Sequence, residues 1–150
     1  MIVYRLARLP YVRDLSGYGA SLSPVSRWNS MGVPMLYTAQ NRALAFAEVF
    51  VHLKLRDLPQ DMMMVTLHIP NNQRVNEAVL DKDIREYHLK ATQRLGDEFV
   101  MNPILFGLRV PSYVVPGEHN ILINPKHKNL EKMLIKDVQP FTFDHRLKRS

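Results

Sequence analysis

The chain has 150 residues, 46% hydrophobic and 23% charged, a balance that suits one soluble globular domain with a real core and is short for two. It has no cysteine, which excludes a disulfide framework, thiol catalysis and a cysteine-ligated zinc site. A formal net charge of +6 is compatible with a nucleic-acid surface, an anionic small substrate or an acidic protein partner, and composition does not choose among them.

In chain order, residues 1–12 predict a short strand, with Tyr4 and Leu6 alternating against Arg5. Arg5 and Arg8 interrupt any signal-peptide or membrane-spanning apolar run, so a cytoplasmic protein without a membrane span is expected. DLSGYGA (14–20) is turn chemistry, and SPVSRWNSMGVP (23–34) is a loop bracketed by Pro24 and Pro34. MLY (35–37) predicts a brief buried strand. Thr38 is the expected N-cap of a helix running to about Leu55, with Asn41 near the capping-box position.

DLPQD (57–61) breaks that helix, and MMMVTLHIP (62–70) reads as a strand ended by Pro70. Residues 74–96 read as partly helical, stopping at Gly96. ILFGLRVPSYVV (104–115), NILINP (120–125) and KMLIKDVQPFTFD (132–144) read as strands. Most connections are too short for parallel crossovers, so the expected fold class is α+β with a largely antiparallel sheet.

The helix after Tyr37 carries one carboxylate, Glu48, on the same face as Leu44, while Phe46, Val49, Phe50 and Leu53 cover the other side. A helix apolar nearly all round is expected to be buried, and a buried carboxylate costs several kcal/mol unless it is paired or hydrogen-bonded. One account pairs Glu48 with a core arginine or with His52, one turn on, in a purely structural role. The other has it meet a substrate hydroxyl or a developing cation. The residues upstream favour the second. Arg27 in its loop offers a planar fork suited to phosphate, Tyr37 offers a ring for a flat heterocycle, and Glu48 a carboxylate for ribose: the complement of a nucleotide.

DLSGYGA, SRWNSMGVPMLYTAQNRALAFAEVFVHL and LRVPSYVVPGEHNILINPKH, in that order, resemble the RES domain, a family named for its Arg, Glu and Ser and made up mostly of toxins of bacterial toxin–antitoxin modules. The resemblance runs from about Arg5 to Leu147, so one RES domain over residues 1–150 is expected. It departs from the family at Val25-Ser26, where a Gly pair is usual before Arg-Trp, and at Phe99, where a tryptophan is expected. It implies a compact, ADP-ribosyltransferase-like fold, a largely antiparallel split sheet with flanking helices. It also implies consumption of NAD+ by cleavage of the nicotinamide–ribose bond.

Carried over by position, the family's catalytic residues fall on Arg27, Tyr37 and Glu48, and its serine on Ser112; His52, Asn120 and Asn124 match further positions expected to bind the nucleotide. The resemblance assigns Arg27 to the pyrophosphate, Tyr37 to the nicotinamide end, Glu48 to the ribose cation and Ser112 to the nicotinamide or ribose. The expected partner is an Xre-like helix-turn-helix antitoxin that blocks the site and supplies any DNA binding, in a homodimer or hetero-oligomer. No metal is expected, since the other histidines show no HExxH or comparable ligand spacing. Water, phosphate or a protein side chain as final acceptor gives, in turn, a glycohydrolase, a phosphorylase or a mono-ADP-ribosyltransferase. A non-enzymatic basic nucleic-acid-binding module is the rival account.

Overall fold

The computed structural model describes residues 1–81 and 88–148. The described residues form one seven-stranded sheet: β1 (Ile2–Arg8), β2 (Leu36–Ala39), β3 (Met62–His68), β4 (Val75–Glu77), β5 (Gly107–Pro111), β6 (His119–Ile123) and β7 (Leu134–Pro140). The spatial order is β4-β5-β6-β2-β1-β3-β7, and every neighbouring pair is antiparallel except β4 with β5. A single register pair, Tyr4 with Ala39, joins β1 to β2, whereas β1 and β3 are in register along the whole strand. The sheet is therefore two half-sheets with a narrow junction, as expected of a split sheet.

Three α-helices are described: α1 (Tyr18–Ser21), α2 (Arg42–Phe50) and α3 (Leu89–Met101). Alternation along the strands sends side chains to two faces. On one face Val3, Leu36, Val65, Leu67, Ile121 and Ile123 pack with Phe106 and Met133. On the other, Leu6, Ala39, Met62 and Met64 lie under Leu44 and Ala45 of α2, while Leu108, Val110 and Leu122 lie under Phe99 and Val100 of α3. A helix as short as α2 is marginal alone in water, so its place is set by this apolar contact. The two helices cover opposite halves of one face, and the ends of β2, β5 and β6 meet between them.

The structure corrects several boundaries. Thr38 does not cap α2: its hydroxyl donates to the Ile121 carbonyl inside the sheet, 2.6 Å away, and β2 runs on to Ala39. Asn41 is the N-cap, its Oδ1 accepting the Leu44 N–H at 2.8 Å. The helix stops at Phe50 rather than about Leu55, because His52 and Leu53 turn back through 3.0 Å bonds to the carbonyls of Val49 and Phe50. Leu53 thereby rejoins the apolar cluster, and His52 is left exposed. Residues 75–77 are a strand, paired parallel to β5, where helix was expected. The part of that expected helix at 82–87 lies outside the described residues.

Gly96 does not end a helix either; α3 continues five residues beyond it to Met101. A Cβ at Gly96 would lie 1.6 Å from the Trp28 carbonyl oxygen, so glycine is required by close approach of the helix to a loop. Gly17, in the expected turn, has φ of +69°, and its carbonyl accepts the N–H of Met35, the residue before β2. No helix among the described residues is long and apolar enough to cross a membrane.

Candidate active site

Glu48 lies on the last turn of α2, directed at the ends of β5 and β6, and is half-buried rather than buried. Two donors converge on one of its oxygens: Ser112 Oγ and Asn120 Nδ2 each stand 2.6 Å from Oε1. Both donors are buried, and hydrogen bonds to a carboxylate are the strong kind, so they offset the desolvation of the charge. One oxygen is held by two donors, and its twin, Oε2, has no hydrogen-bond partner among the described residues.

Ser112 has no spare proton. Its hydroxyl donates to Glu48 and accepts the N–H groups of Val114 and Val115 at 3.1 and 2.9 Å, which folds the turn into β6. It positions Glu48 and has no second donor for a nicotinamide or ribose. The same turn holds the start of α2: Glu118 Oε2 accepts from Asn41 Nδ2 at 2.8 Å and Gln40 Nε2 at 2.7 Å. The β5–β6 hairpin thus grips α2 at its N-cap and at its carboxylate.

The arginine loop stands beside this hairpin. Arg27 lays its guanidinium 4.6 Å from the ring centre of Tyr113, the residue after Ser112, and Trp28 stacks on the same ring at 5.8 Å. Tyr37 projects from β2 into the loop; its hydroxyl donates to Asn29 Oδ1 at 2.7 Å and accepts the Trp28 N–H at 3.0 Å. Burial raises the Tyr37 phenol above the ordinary value, so it stays protonated and keeps donating into the alkaline range where a free tyrosine ionises. Asn29, fully buried, donates in turn to the carbonyls of Ala20 and Val33 at 3.0 and 3.1 Å.

The structure therefore brings Arg27, Tyr37, Glu48, Ser112 and Asn120 into one neighbourhood. Asn124 is elsewhere, fully buried with Nδ2 turned into the carbonyls that end α3, nearest Val100 at 3.1 Å and Asn102 at 3.2 Å. It closes a helix terminus. His52 is exposed past the end of α2 and makes no hydrogen bond to Glu48. Sequence reasoning missed Tyr113, Glu118 and Asn29. The first adjoins Ser112 and was findable as the aromatic neighbour of a site residue; the other two act through contacts that only the folded chain creates.

Neither a cavity of about 430 Å³ against α3 nor one of about 480 Å³ beside Phe46 and Phe143 contains Arg27 or Glu48. The candidate site rests on its chemistry, a carboxylate held by Ser112 and a guanidinium stacked on the adjacent Tyr113, rather than on the size of a hollow.

Comparisons with known proteins place the chain in a family. The RES domain family model matches residues 2–144. A protein named Toxin Res from Photorhabdus laumondii is 36% identical over 141 residues, covering 89% of this chain and 88% of that protein. The Prs ADP-ribosylating toxin of a Sphingobium species is 32% identical, covering 95% and 92%. Among solved structures, that of the MbcT-MbcA toxin-antitoxin complex from M. tuberculosis shares the fold with a TM-score of 0.67 at 16% identity, over 94% of this chain and 84% of the solved one. With its family model spanning almost the whole chain and curated toxins at this level of identity, the chain belongs to the RES domain family of toxins.

Proposed function

We propose that this RES toxin is an NAD+-consuming enzyme that cleaves the nicotinamide–ribose bond. The observation that carries the reading is Glu48, with Oε1 pinned by Ser112 and Asn120 and Oε2 accepting no hydrogen bond among the described residues. In the reaction the C–N bond breaks, its electron pair leaves on the nicotinamide ring nitrogen, and positive charge develops on the ribose. A pre-oriented carboxylate stabilises that charge more than the neutral ground state, and Oε2 is the oxygen free to face it or to hold a ribose hydroxyl. Arg27 binds the pyrophosphate. Tyr37, its hydroxyl spent on the loop, holds Arg27 in place and offers its half-buried ring to the nicotinamide end. Asn120 orients Glu48 with Ser112. The whole chain acts as one RES domain, and its compartment is the cytoplasm, where NAD+ is available.

Water as acceptor gives ADP-ribose and a proton, and phosphate gives the phosphorylated sugar. A second reading, transfer to a protein side chain, is favoured by the relative named an ADP-ribosylating toxin. The partner is a cognate helix-turn-helix antitoxin, a reading supported by a fold shared with the toxin of a toxin–antitoxin complex and by the positive charge of the chain. DNA is reached through that partner.

Incubating the purified chain with NAD+, with and without phosphate, and with labelled NAD+ in a lysate, tests the reading. Nicotinamide release without phosphate is expected for the hydrolase, release only with phosphate for the phosphorylase, and label on protein for the transferase. NAD+ left intact in all three arms would sink the proposal.

A further inference from the structure

Arg27 sits in a stretch, residues 23–33, with neither strand nor α-helix, so something outside the loop must fix it. The support is α3. Gln93 Nε2 donates to the Ser26 carbonyl at 3.0 Å and the Pro24 carbonyl at 3.3 Å. Gly96 lies directly against the Trp28 carbonyl. The Asp97 carboxylate receives the Ser30 N–H at 2.9 Å and the Ser30 hydroxyl at 2.6 Å, one on each oxygen.

Residues 93, 96 and 97 occupy one stripe of the helix. They meet loop residues 26, 28 and 30 in order, one contact for every second residue. The alternate side chains, Arg27 and Asn29, are engaged elsewhere, by Tyr113 and by Tyr37. We propose that Asp97 and Gln93 are positioning residues, through which α3 holds the loop so that Arg27 meets the ligand's pyrophosphate. This inference rests on the reading of Arg27 given above.

Removing Asp97 leaves Ser30 without its charged acceptor and frees the loop downstream of Arg27. An asparagine there keeps both contacts, because its carbonyl accepts the Ser30 N–H and its amide donates to the same hydroxyl, which also accepts. A helix that merely stabilised the fold would change melting without changing affinity in the folded protein.

The test is calorimetric binding of ADP-ribose, which retains the pyrophosphate and needs no turnover, to the full-length wild type, Asp97→Ala, Asp97→Asn, Arg27→Ala and the Arg27→Ala/Asp97→Ala pair. The chain's sole tryptophan, Trp28, buried in the loop, reports loop position by its emission. Asp97→Ala is expected to bind roughly tenfold more weakly, the equivalent of one lost charge-assisted hydrogen bond, with Trp28 emission shifted to the red. Asp97→Asn should stay within about twofold of wild type, and the double variant should bind no worse than Arg27→Ala alone.

Wild-type affinity in folded Asp97→Ala, or an asparagine variant as weak as the alanine one, overturns the proposal. If Asp97→Ala does not fold, Ser30→Ala takes its place, and unchanged affinity there overturns it equally. If the wild type itself ignores ADP-ribose, the pyrophosphate reading of Arg27 fails. Trp28 emission then decides the positioning claim alone, which unchanged emission in Asp97→Ala overturns.

Discussion

Glu48 and Arg27, which contact the adjacent residues Ser112 and Tyr113, are held in opposite ways. The carboxylate is fixed atom by atom: two side-chain donors reach the same oxygen, and its helix is gripped at the N-cap by Glu118 through Asn41. The arginine is fixed through its neighbours, with Ser26, Trp28 and Ser30 tied to α3 and Asn29 tied to Tyr37. A group that must meet a developing charge needs its own oxygen aimed before the reaction starts. On the proposed reading Arg27 binds a pyrophosphate, and its loop must be placed before its fork can pair with phosphate oxygens. Damage to the first arrangement should therefore appear in the chemical step and damage to the second in binding or in stability.

The sharpest way to break the loop side is Gly96→Ala. The new Cβ would overlap the Trp28 carbonyl, and neither backbone can yield without separating α3 from the loop. A loss of more than about 4 kcal/mol in denaturant unfolding is expected, enough to leave little folded protein. A melting curve near that of wild type would show that the helix and loop are not in contact. On the carboxylate side, Asn120→Ala removes one of the two donors to Oε1. Nicotinamide release should slow by roughly 10- to 100-fold, the equivalent of about 1.5–3 kcal/mol for a hydrogen bond to a charged group, with ADP-ribose affinity little changed. Equal losses in rate and affinity would blur the contrast between the two sides.

Tyr37→Phe probes the loop more gently. It strips the buried Asn29 of a donor and Trp28 of an acceptor, for a stability loss of about 1–3 kcal/mol. The substitution also carries a signature in pH. Burial raises the phenol above the ordinary 10.0, so above that pH the unfolded chain releases a proton that the folded chain retains. Tyr37 therefore contributes stability fully present below about pH 10 and lost progressively as the pH rises further. Unfolding titrations of the phenylalanine variant should show a shallower alkaline decline than wild type; identical slopes would remove burial as the cause of the shift.

The strands were legible where a short apolar run is closed by a proline, as in MMMVTLHIP, because that pattern is local. The start of α2 was not. Thr38 and Asn41 are both good caps, and what decides between them is the Ile121 carbonyl, more than 80 residues away, which takes the Thr38 hydroxyl. Glu48 stood out as a lone charge among apolar residues, although the helix is half-exposed and less costly to charge than its sequence suggests. Asn120 and Asn124 look alike in NILIN, yet one faces Glu48 and the other closes α3, a difference set by a helix more than 20 residues upstream.

The clamp on the arginine loop had a signal that went unread. Thr92, Gln93, Gly96, Phe99 and Val100 form the buried stripe of α3, and a glutamine on such a stripe must have a partner. That stripe implies that α3 packs against a polar partner. The sequence does not say which.

The measurement that bears most directly on the account is single-turnover nicotinamide release by wild type and Glu48→Gln, with ADP-ribose affinity taken on the same samples. Glutamine keeps the size of the side chain and removes its charge. The account predicts release slowed by about 10²–10³-fold, the scale seen when a pre-oriented electrostatic stabiliser is removed, with affinity within a few-fold of wild type. Release at the wild-type rate from folded Glu48→Gln would contradict it.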